Sequence, residues 1–148
     1  MNKKKVDLMI IQAYEALSNS ELVNEGKTDK AYRSHVAAFG AAMATGSLLA
    51  AVSNFVLDSQ NANAKQKQGK VMGKIMWDML KSNYRCEDNC EVMDTYDNLL
   101  AYITQLHKND DLQMLRIVKG WLKEIAVAMK LAMNFLELMD SKKESEKV

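Results

Sequence analysis

Apolar residues recur at steps of three and four along most of the chain, which is the spacing of one face of an α-helix. The pattern predicts about six helices, at residues 4–24, 28–45, 47–58, 64–84, 91–108 and 112–141. No run alternates apolar and polar residues as a half-buried strand does, so no strand is expected. The predicted fold is therefore all-α, a single-domain bundle spanning residues 1–148 with a frayed charged tail at 142–148.

The helix predicted at 112–141 carries two neighbouring apolar rows. The first row contains Leu115, Val118, Leu122, Ile125, Met129, Ala132 and Leu136. The second row contains Ile117, Trp121, Ala128, Leu131, Phe135 and Leu138. A helix that is apolar over so much of its circumference is expected to be covered on several sides, which predicts a central position in the bundle.

Composition supports this prediction and narrows the class of protein. The chain has 148 residues, no proline and six glycines, so long uninterrupted helices are permitted. Two cysteines do not form a disulfide framework, and no apolar run is long enough to span a bilayer. We therefore expect a cytoplasmic protein with no membrane partner. The net charge of +1 favours no particular partner, but residues 65–85 are strongly basic and residues 86–97 strongly acidic.

Candidate catalytic and metal-binding residues are few. Cys86 and Cys90 resemble half of a zinc site, but the two histidines, His35 and His107, do not complete it at ligand spacing. The neighbouring acids do not follow the spacing of a calcium loop; they are Glu87, Asp88, Glu91, Asp94 and Asp97. No nucleotide-binding or catalytic motif occurs. We expect no enzyme activity, cofactor or metal, and a metalloenzyme using Cys86, Glu91 and Asp94 is kept as a third hypothesis.

Two rows of basic residues follow helical spacing. At 100° per residue, each row projects within an arc of about 60°. The first row contains Lys67, Lys70, Lys74, Lys81 and Arg85, with Trp77 and Asp78 between them. The second contains Arg116, Lys119, Lys123 and Lys130. A solvated helix face is the commonest origin of such a row, but its charges are usually mixed in sign. Closely spaced like charges repel, and a polyanion relieves that repulsion.

The basic rows therefore predict binding to a nucleic-acid backbone without base readout. The alternative is a helical protein-interaction module that makes no nucleic-acid contact. In that case the basic row of one copy would meet the acidic segment 86–97 of another copy.

One part of the sequence resembles a known family over about residues 4–57. The residues that carry the resemblance are Asp7-Leu8-Met9-Ile10, Gln12-Ala13-Tyr14, Tyr32-Arg33-Ser34-His35-Val36-Ala37-Ala38-Phe39-Gly40-Ala41-Ala42 and Gly46-Ser47-Leu48-Leu49-Ala50-Ala51-Val52. They are similar to the small subunit of the type III-B, Cmr-type CRISPR effector complex. The turn Thr45-Gly46-Ser47 departs from that family, which more often has serine before glycine.

The resemblance implies a non-catalytic subunit in antiviral defence. Its partners would be guide RNA, target RNA, the backbone and large subunits of the complex, and other copies of itself. Arg33 is a family position and a candidate for RNA binding. Tyr32, Phe39 and Gly40 are interpreted as structural, with Gly40 predicted to lie in close contact with a neighbouring backbone.

Overall fold

The computed structural model describes residues 3–20, 22–56, 64–84, 93 and 95–139. These residues contain six helices: α1 Lys3–Ser18, α2 Lys30–Thr45, α3 Leu48–Val56, α4 Ala64–Asn83, α5 Leu99–Lys108 and α6 Leu112–Met133. The predicted all-α bundle is confirmed. Helix α6 packs against α1, α2, α4 and α5, so its predicted central position is also confirmed.

Side-chain caps determine where three of the helices begin. Ser47 Oγ accepts a hydrogen bond from the Ala50 amide at 3.1 Å, and Asp111 Oδ1 accepts one from the Met114 amide at 3.1 Å. The two caps place the helix starts at Leu48 and Leu112, close to the predicted starts at residues 47 and 112. Helix α5 begins at Leu99 and not near residue 91, because Asn98 Oδ1 accepts from the Ala101 amide at 2.8 Å and caps the helix there.

A small sheet, which the sequence pattern does not predict, joins the segment between α1 and α2 to the C-terminal end of the described chain. Strands β1 (Val23–Asn24) and β2 (Lys27–Asp29) form an antiparallel hairpin, and β3 (Glu137–Met139) pairs parallel to β2. The hairpin turn uses Glu25 and Gly26, both at positive φ. The predicted helix 4–24 therefore ends at Ser18, and the predicted helix 112–141 ends at Met133.

Thr28 belongs to this sheet and does not cap α2. Its side chain is buried, and its hydroxyl donates to the Leu22 carbonyl at 2.8 Å. Helix α2 accordingly begins at Lys30 and not at residue 28. The Thr28 hydroxyl is therefore engaged in the tertiary structure and is not available to cap α2.

The two apolar rows of α6 have different environments. The first row, from Leu115 to Leu136, is buried throughout. In the second row Ala128 is buried, whereas Ile117, Leu131 and Phe135 are exposed. The expectation that both rows are covered is therefore wrong for the second row, whose outer residues remain on the surface.

The close helix contact at a glycine occurs at Gly73 and not at Gly40. A Cβ atom built at Gly40 meets nothing within 4 Å, so the predicted packing role of Gly40 is wrong. A Cβ atom at Gly73 would lie 2.5 Å from Cγ1 of Val56 on α3. Phe39 does hold α2 and α3 together, because it is buried and its ring centroid lies 4.6 Å from that of Phe55. Tyr32 packs against the core.

The segment 142–148, predicted as a tail, lies outside the described residues. Among the helices that are described, none has both the length and the apolar character needed to cross a membrane.

Candidate nucleic-acid interface

A groove of about 1140 Å³ runs along α4. Lys70, Lys74 and Lys81 all line it, and we refer to these three residues as the lysine row. Because an α-helix rises about 1.5 Å per residue, the row extends about 16 Å along α4. The structure therefore brings part of the first predicted basic stripe to one cavity.

Two members of the lysine row, Lys74 and Lys81, are only lightly neutralised by carboxylates of the described residues. Lys74 is exposed, and the described residues offer it no carboxylate within ion-pair distance. Lys81 Nζ lies 3.9 Å from Asp78 Oδ1, with Asp78 itself well exposed. Exposed pairs at this separation contribute little, typically about 0–1 kcal/mol. The ammonium of Lys81 therefore remains available to exchange Asp78 for another anion.

Trp77 lies in the same groove but is not part of the exposed stripe. The residue is only 2% exposed, and its ring packs against Tyr102 with centroids 5.5 Å apart. Lys81 Nζ lies 5.2 Å from the Trp77 ring centroid, within the range of a cation–π contact. Trp77 Nε1 is buried and has no hydrogen-bond partner among the described residues. A buried donor without an acceptor is costly, about 1–3 kcal/mol.

Polar residues from three other elements complete the groove. Asn19 follows α1, Ser53 belongs to α3, and Asp97 and Asn98 precede α5. We refer to these four residues as the polar set. Asn98 Oδ1 is occupied by the helix cap, which leaves its amide NH₂ as a donor. The groove thus combines cations with neutral donors and acceptors and with two carboxylates, Asp78 on α4 and Asp97 before α5.

Close packing of α3 against α4 shapes this cavity. Gly73 and Val56 both line the groove and meet at the tightest glycine contact described for the chain. Glycine is required there because the stiff β-branched side chain of Val56 occupies the space that a Cβ would need. A methyl group at position 73 would push α3 and α4 apart and so change the shape of the groove.

The other predicted RNA-binding residues are not gathered in this groove. The side chain of Lys67 and all of Arg85 lie outside the described residues. Arg33 is half-buried on α2 and does not line the groove; its Nε is buried without a hydrogen-bond partner in the described part of the chain. The second stripe lies on α6, where Arg116, Lys123 and Lys130 are exposed and Lys119 is half-buried.

Most of the candidate metal ligands lie between residues 86 and 94. Cys86, Glu87, Asp88, Cys90, Glu91 and Asp94 all lie outside the described residues. His35 has a local structural contact, since its Nε2 lies 3.0 Å from the Phe55 carbonyl and its ring stacks on Phe55. A carbonyl can only accept, so Nε2 carries the proton in this contact.

A second polar cluster connects α1, α4 and α6. The Tyr84 hydroxyl donates to Glu124, the Trp121 ring stacks on the Tyr84 ring, and Lys5 Nζ lies 3.8 Å from the Tyr84 ring centroid. Burial, together with the Glu124 carboxylate, raises the pKa of the Tyr84 hydroxyl well above its ordinary value. The neutral hydroxyl is therefore the form that the fold stabilises.

Six apolar residues are exposed on α1 and on or just after α6, and we refer to them together as the apolar outer face. Leu8, Ile11 and Tyr14 lie on α1, and Val127, Leu131 and Phe135 lie on or just after α6. The rings of Tyr14 and Phe135 meet edge to face with centroids 6.3 Å apart, which joins the two helices. Phe135 is nevertheless 72% exposed. Contiguous exposed apolar side chains are typical of protein-interaction surfaces.

Sequence reasoning identified the lysines but not their surroundings. Asn19, Ser53 and Asn98 are far apart along the chain, and no local pattern indicates that they meet at α4. Helical spacing predicts Trp77 on the same side of α4 as the lysines, whereas in the structure its side chain is buried.

Comparison with protein-family models, with curated proteins and with solved structures finds no match to the chain. The resemblance to the small subunit of the Cmr-type complex therefore stays a prediction.

Proposed function

We propose that this protein is a non-catalytic subunit that binds RNA along its backbone through the lysine row of α4. The observation that carries the proposal is that Lys70, Lys74 and Lys81 share one groove. Ammonium groups at helical spacing neutralise successive phosphates and release condensed counterions, which drives sequence-independent binding. The resemblance to the Cmr-type small subunit suggests that guide RNA paired with target RNA, within a larger defence complex, is the ligand.

The groove also limits how strongly the protein binds RNA by itself. Asp78 and Asp97 line the groove with the three lysines and partly offset their charge. We therefore expect weak binding by an isolated copy and stronger binding when several copies align along one RNA in an assembly. This avidity follows from linked sites and requires no further contact with RNA.

The test is a double charge reversal, Lys70→Glu with Lys74→Glu, measured by fluorescence anisotropy with labelled single-stranded RNA. Affinity is expected to fall by up to about 1000-fold at low salt, because each reversal replaces an attraction of about 1 kcal/mol with a repulsion of similar size, about 4 kcal/mol for the two together. The log–log salt slope should also become shallower by about 1.4, since single strands contribute about 0.7 per contacted phosphate.

The matched control is Lys4→Glu with Lys30→Glu. Both lysines are exposed in the first turn of a helix, where an acidic residue is tolerated, and neither lines the groove. The control changes net charge by the same amount. Equal losses in both double variants would contradict a local site and leave only bulk electrostatics. If the groove variant keeps its affinity for RNA, the candidate RNA-binding residues become Arg116, Lys119 and Lys123 of the second basic row.

The apolar outer face supports a second function, that of a helical protein-interaction module. This surface shares no residue with the groove, so the two functions are compatible in one subunit. In an assembly the outer face would contact a protein subunit or another copy while the groove holds RNA. Its test is whether Ile11→Ser together with Phe135→Ser removes self-association, as measured by sedimentation velocity.

A further inference from the structure

The groove contains two features that binding of a uniform phosphate backbone does not use. One is Trp77, a lining residue whose Nε1 is buried and lacks an acceptor among the described residues. The other is the polar set, in which Asp97 can accept hydrogen bonds and Asn98 can donate them. A ligand that satisfies the whole groove must therefore carry anionic groups, neutral acceptors and hydrogen-bond donors together.

A single-stranded nucleotide unit has this combination. Its phosphates match the lysine row, its sugar and carbonyl oxygens provide acceptors, and an exocyclic amino group provides a donor. The volume of about 1140 Å³ exceeds the roughly 300–1,000 Å³ of a typical small-molecule site, so more than one nucleotide has room. Bases of a paired duplex keep their amino groups in base pairs, whereas unpaired bases expose them.

We propose that the groove reads unpaired bases, with Asp97 accepting a hydrogen bond from the exocyclic amino group of the base while the lysine row holds the adjacent phosphates. The proposal rests on the RNA-binding function proposed above and departs from the sequence prediction, which expected no base readout. Uracil has no exocyclic amino group and presents a carbonyl oxygen there, which the Asp97 carboxylate repels. Cytosine is therefore preferred over uracil.

Ligand binding is expected to change the contacts that Trp77 and Lys81 make in the free protein. In the free protein Lys81 lies over the Trp77 ring and near Asp78. A phosphate replaces Asp78 as the partner of Lys81, the lysine moves away from the indole, and an acceptor on the nucleotide reaches Trp77 Nε1. The donor that is unsatisfied in the free protein then gains its partner in the complex.

The base preference is tested with labelled eight-nucleotide oligo(C) and oligo(U), which have the same length, charge and ring size. Oligo(C) is expected to bind about 3- to 10-fold more tightly, in line with one hydrogen bond to an exposed carboxylate. Asp97→Ala should reduce the ratio of the two affinities to nearly one without weakening oligo(U) binding. Asp7→Ala is the control, since Asp7 is an exposed carboxylate on α1 that does not line the groove.

The possible outcomes distinguish base readout from the backbone binding proposed above. Equal binding of the two oligonucleotides by the unaltered protein, or an unchanged ratio in Asp97→Ala, overturns base readout and leaves backbone binding intact. Absence of binding to either oligonucleotide, with no response to Lys70→Glu and Lys74→Glu, overturns both.

The role of Trp77 has its own readout. The chain has two tryptophans, so Trp121→Phe leaves Trp77 as the sole indole fluorophore. Oligo(C) should change its emission with the same midpoint as the anisotropy curve. Trp77→Phe keeps an aromatic ring but removes the N–H, and it should weaken oligo(C) and oligo(U) by a similar factor of about 3 to 10. Unchanged emission together with unchanged affinity overturns the contact with Trp77.

Discussion

The groove along α4 and the apolar outer face of α1 and α6 are both exposed helical surfaces, yet their chemistry is opposite. In the groove, three lysines share one cavity with a buried aromatic ring, and polar residues from three other segments of the chain line it as well. On the outer face, apolar side chains project from two helices that meet through Tyr14 and Phe135. Surfaces of these two kinds suit different partners, a polyanion for the groove and another protein for the outer face.

Each surface is carried by helices that a separate set of contacts holds together. Beneath the groove, the contact of Gly73 with Val56 holds α3 against α4. In the helices that carry the outer face, Tyr84, Glu124 and Trp121 connect α4 with α6, and Lys5 extends the cluster to α1. Changes beneath each surface should therefore affect stability, whereas changes on the surface should affect binding alone.

The largest effect on stability is expected for Gly73→Ala. The added Cβ would lie 2.5 Å from Val56 Cγ1, so α3 and α4 must separate. Overpacking of this kind typically costs about 1–3 kcal/mol. Urea denaturation should show the loss, and RNA affinity should fall because the groove is distorted. The same substitution at Gly40, where nothing lies within 4 Å, should raise stability by up to about 1 kcal/mol. Equal effects at both glycines would contradict the close contact.

The next effect concerns Tyr84 and its dependence on pH. Because the folded protein raises the pKa of this hydroxyl, its contribution to stability is complete below the unfolded pKa of about 10 and declines as pH rises further. The free energy of unfolding should fall by about 1.4 kcal/mol per pH unit faster above pH 10 in the unaltered protein than in Tyr84→Phe. At pH 7, Tyr84→Phe should cost about 1 kcal/mol, since Glu124 loses its donor.

Glu124→Gln is the matched variant for this cluster. It removes the carboxylate but keeps an acceptor for the Tyr84 hydroxyl. The decline of stability above pH 10 should then become smaller without disappearing, because burial of Tyr84 remains. Identical pH profiles for the unaltered protein and Tyr84→Phe would show that the hydroxyl does not titrate with folding.

The smallest effect on stability is expected on the apolar outer face. Ile11→Ser together with Phe135→Ser removes two exposed apolar side chains and should change the free energy of unfolding by no more than about 0.5 kcal/mol each. If the face binds another copy, sedimentation velocity should show self-association of the unaltered protein that the double variant loses. RNA affinity should stay unchanged, because neither residue lines the groove. A loss of RNA binding without a loss of self-association would contradict the separation of the two surfaces.

Much of the fold could be predicted because helical periodicity and caps are local properties. The buried face of α4, with Met72, Ile75 and Met76, follows directly from spacing, and Ser47 and Asp111 cap the helices that they precede. The prediction was wrong where distant segments compete for the same backbone. Residues 137–139 continue the helical pattern of α6, yet they pair with β2.

The candidate site was predicted only in part for the same reason. Spacing placed Lys70, Lys74 and Lys81 on one side of α4 without any knowledge of the fold. It could not indicate that Trp77, between them, turns into the core against Tyr102. Gly40 and Gly73 are both glycines within helices, and only the neighbouring chain distinguishes an open position from a close contact.

The sequence by itself determined the all-α class, most of the helices, the inward face of each and the basic character of α4. These properties depend on residues a few positions apart, which share one turn of helix whatever the rest of the chain does. Tertiary structure alone decided that Asn19, Ser53 and Asp97 join the lysines in one groove, that Val56 demands a glycine at position 73, and that the second apolar row of α6 stays partly exposed. Those properties depend on which surfaces of separate helices meet, and that choice is made by packing over the whole molecule.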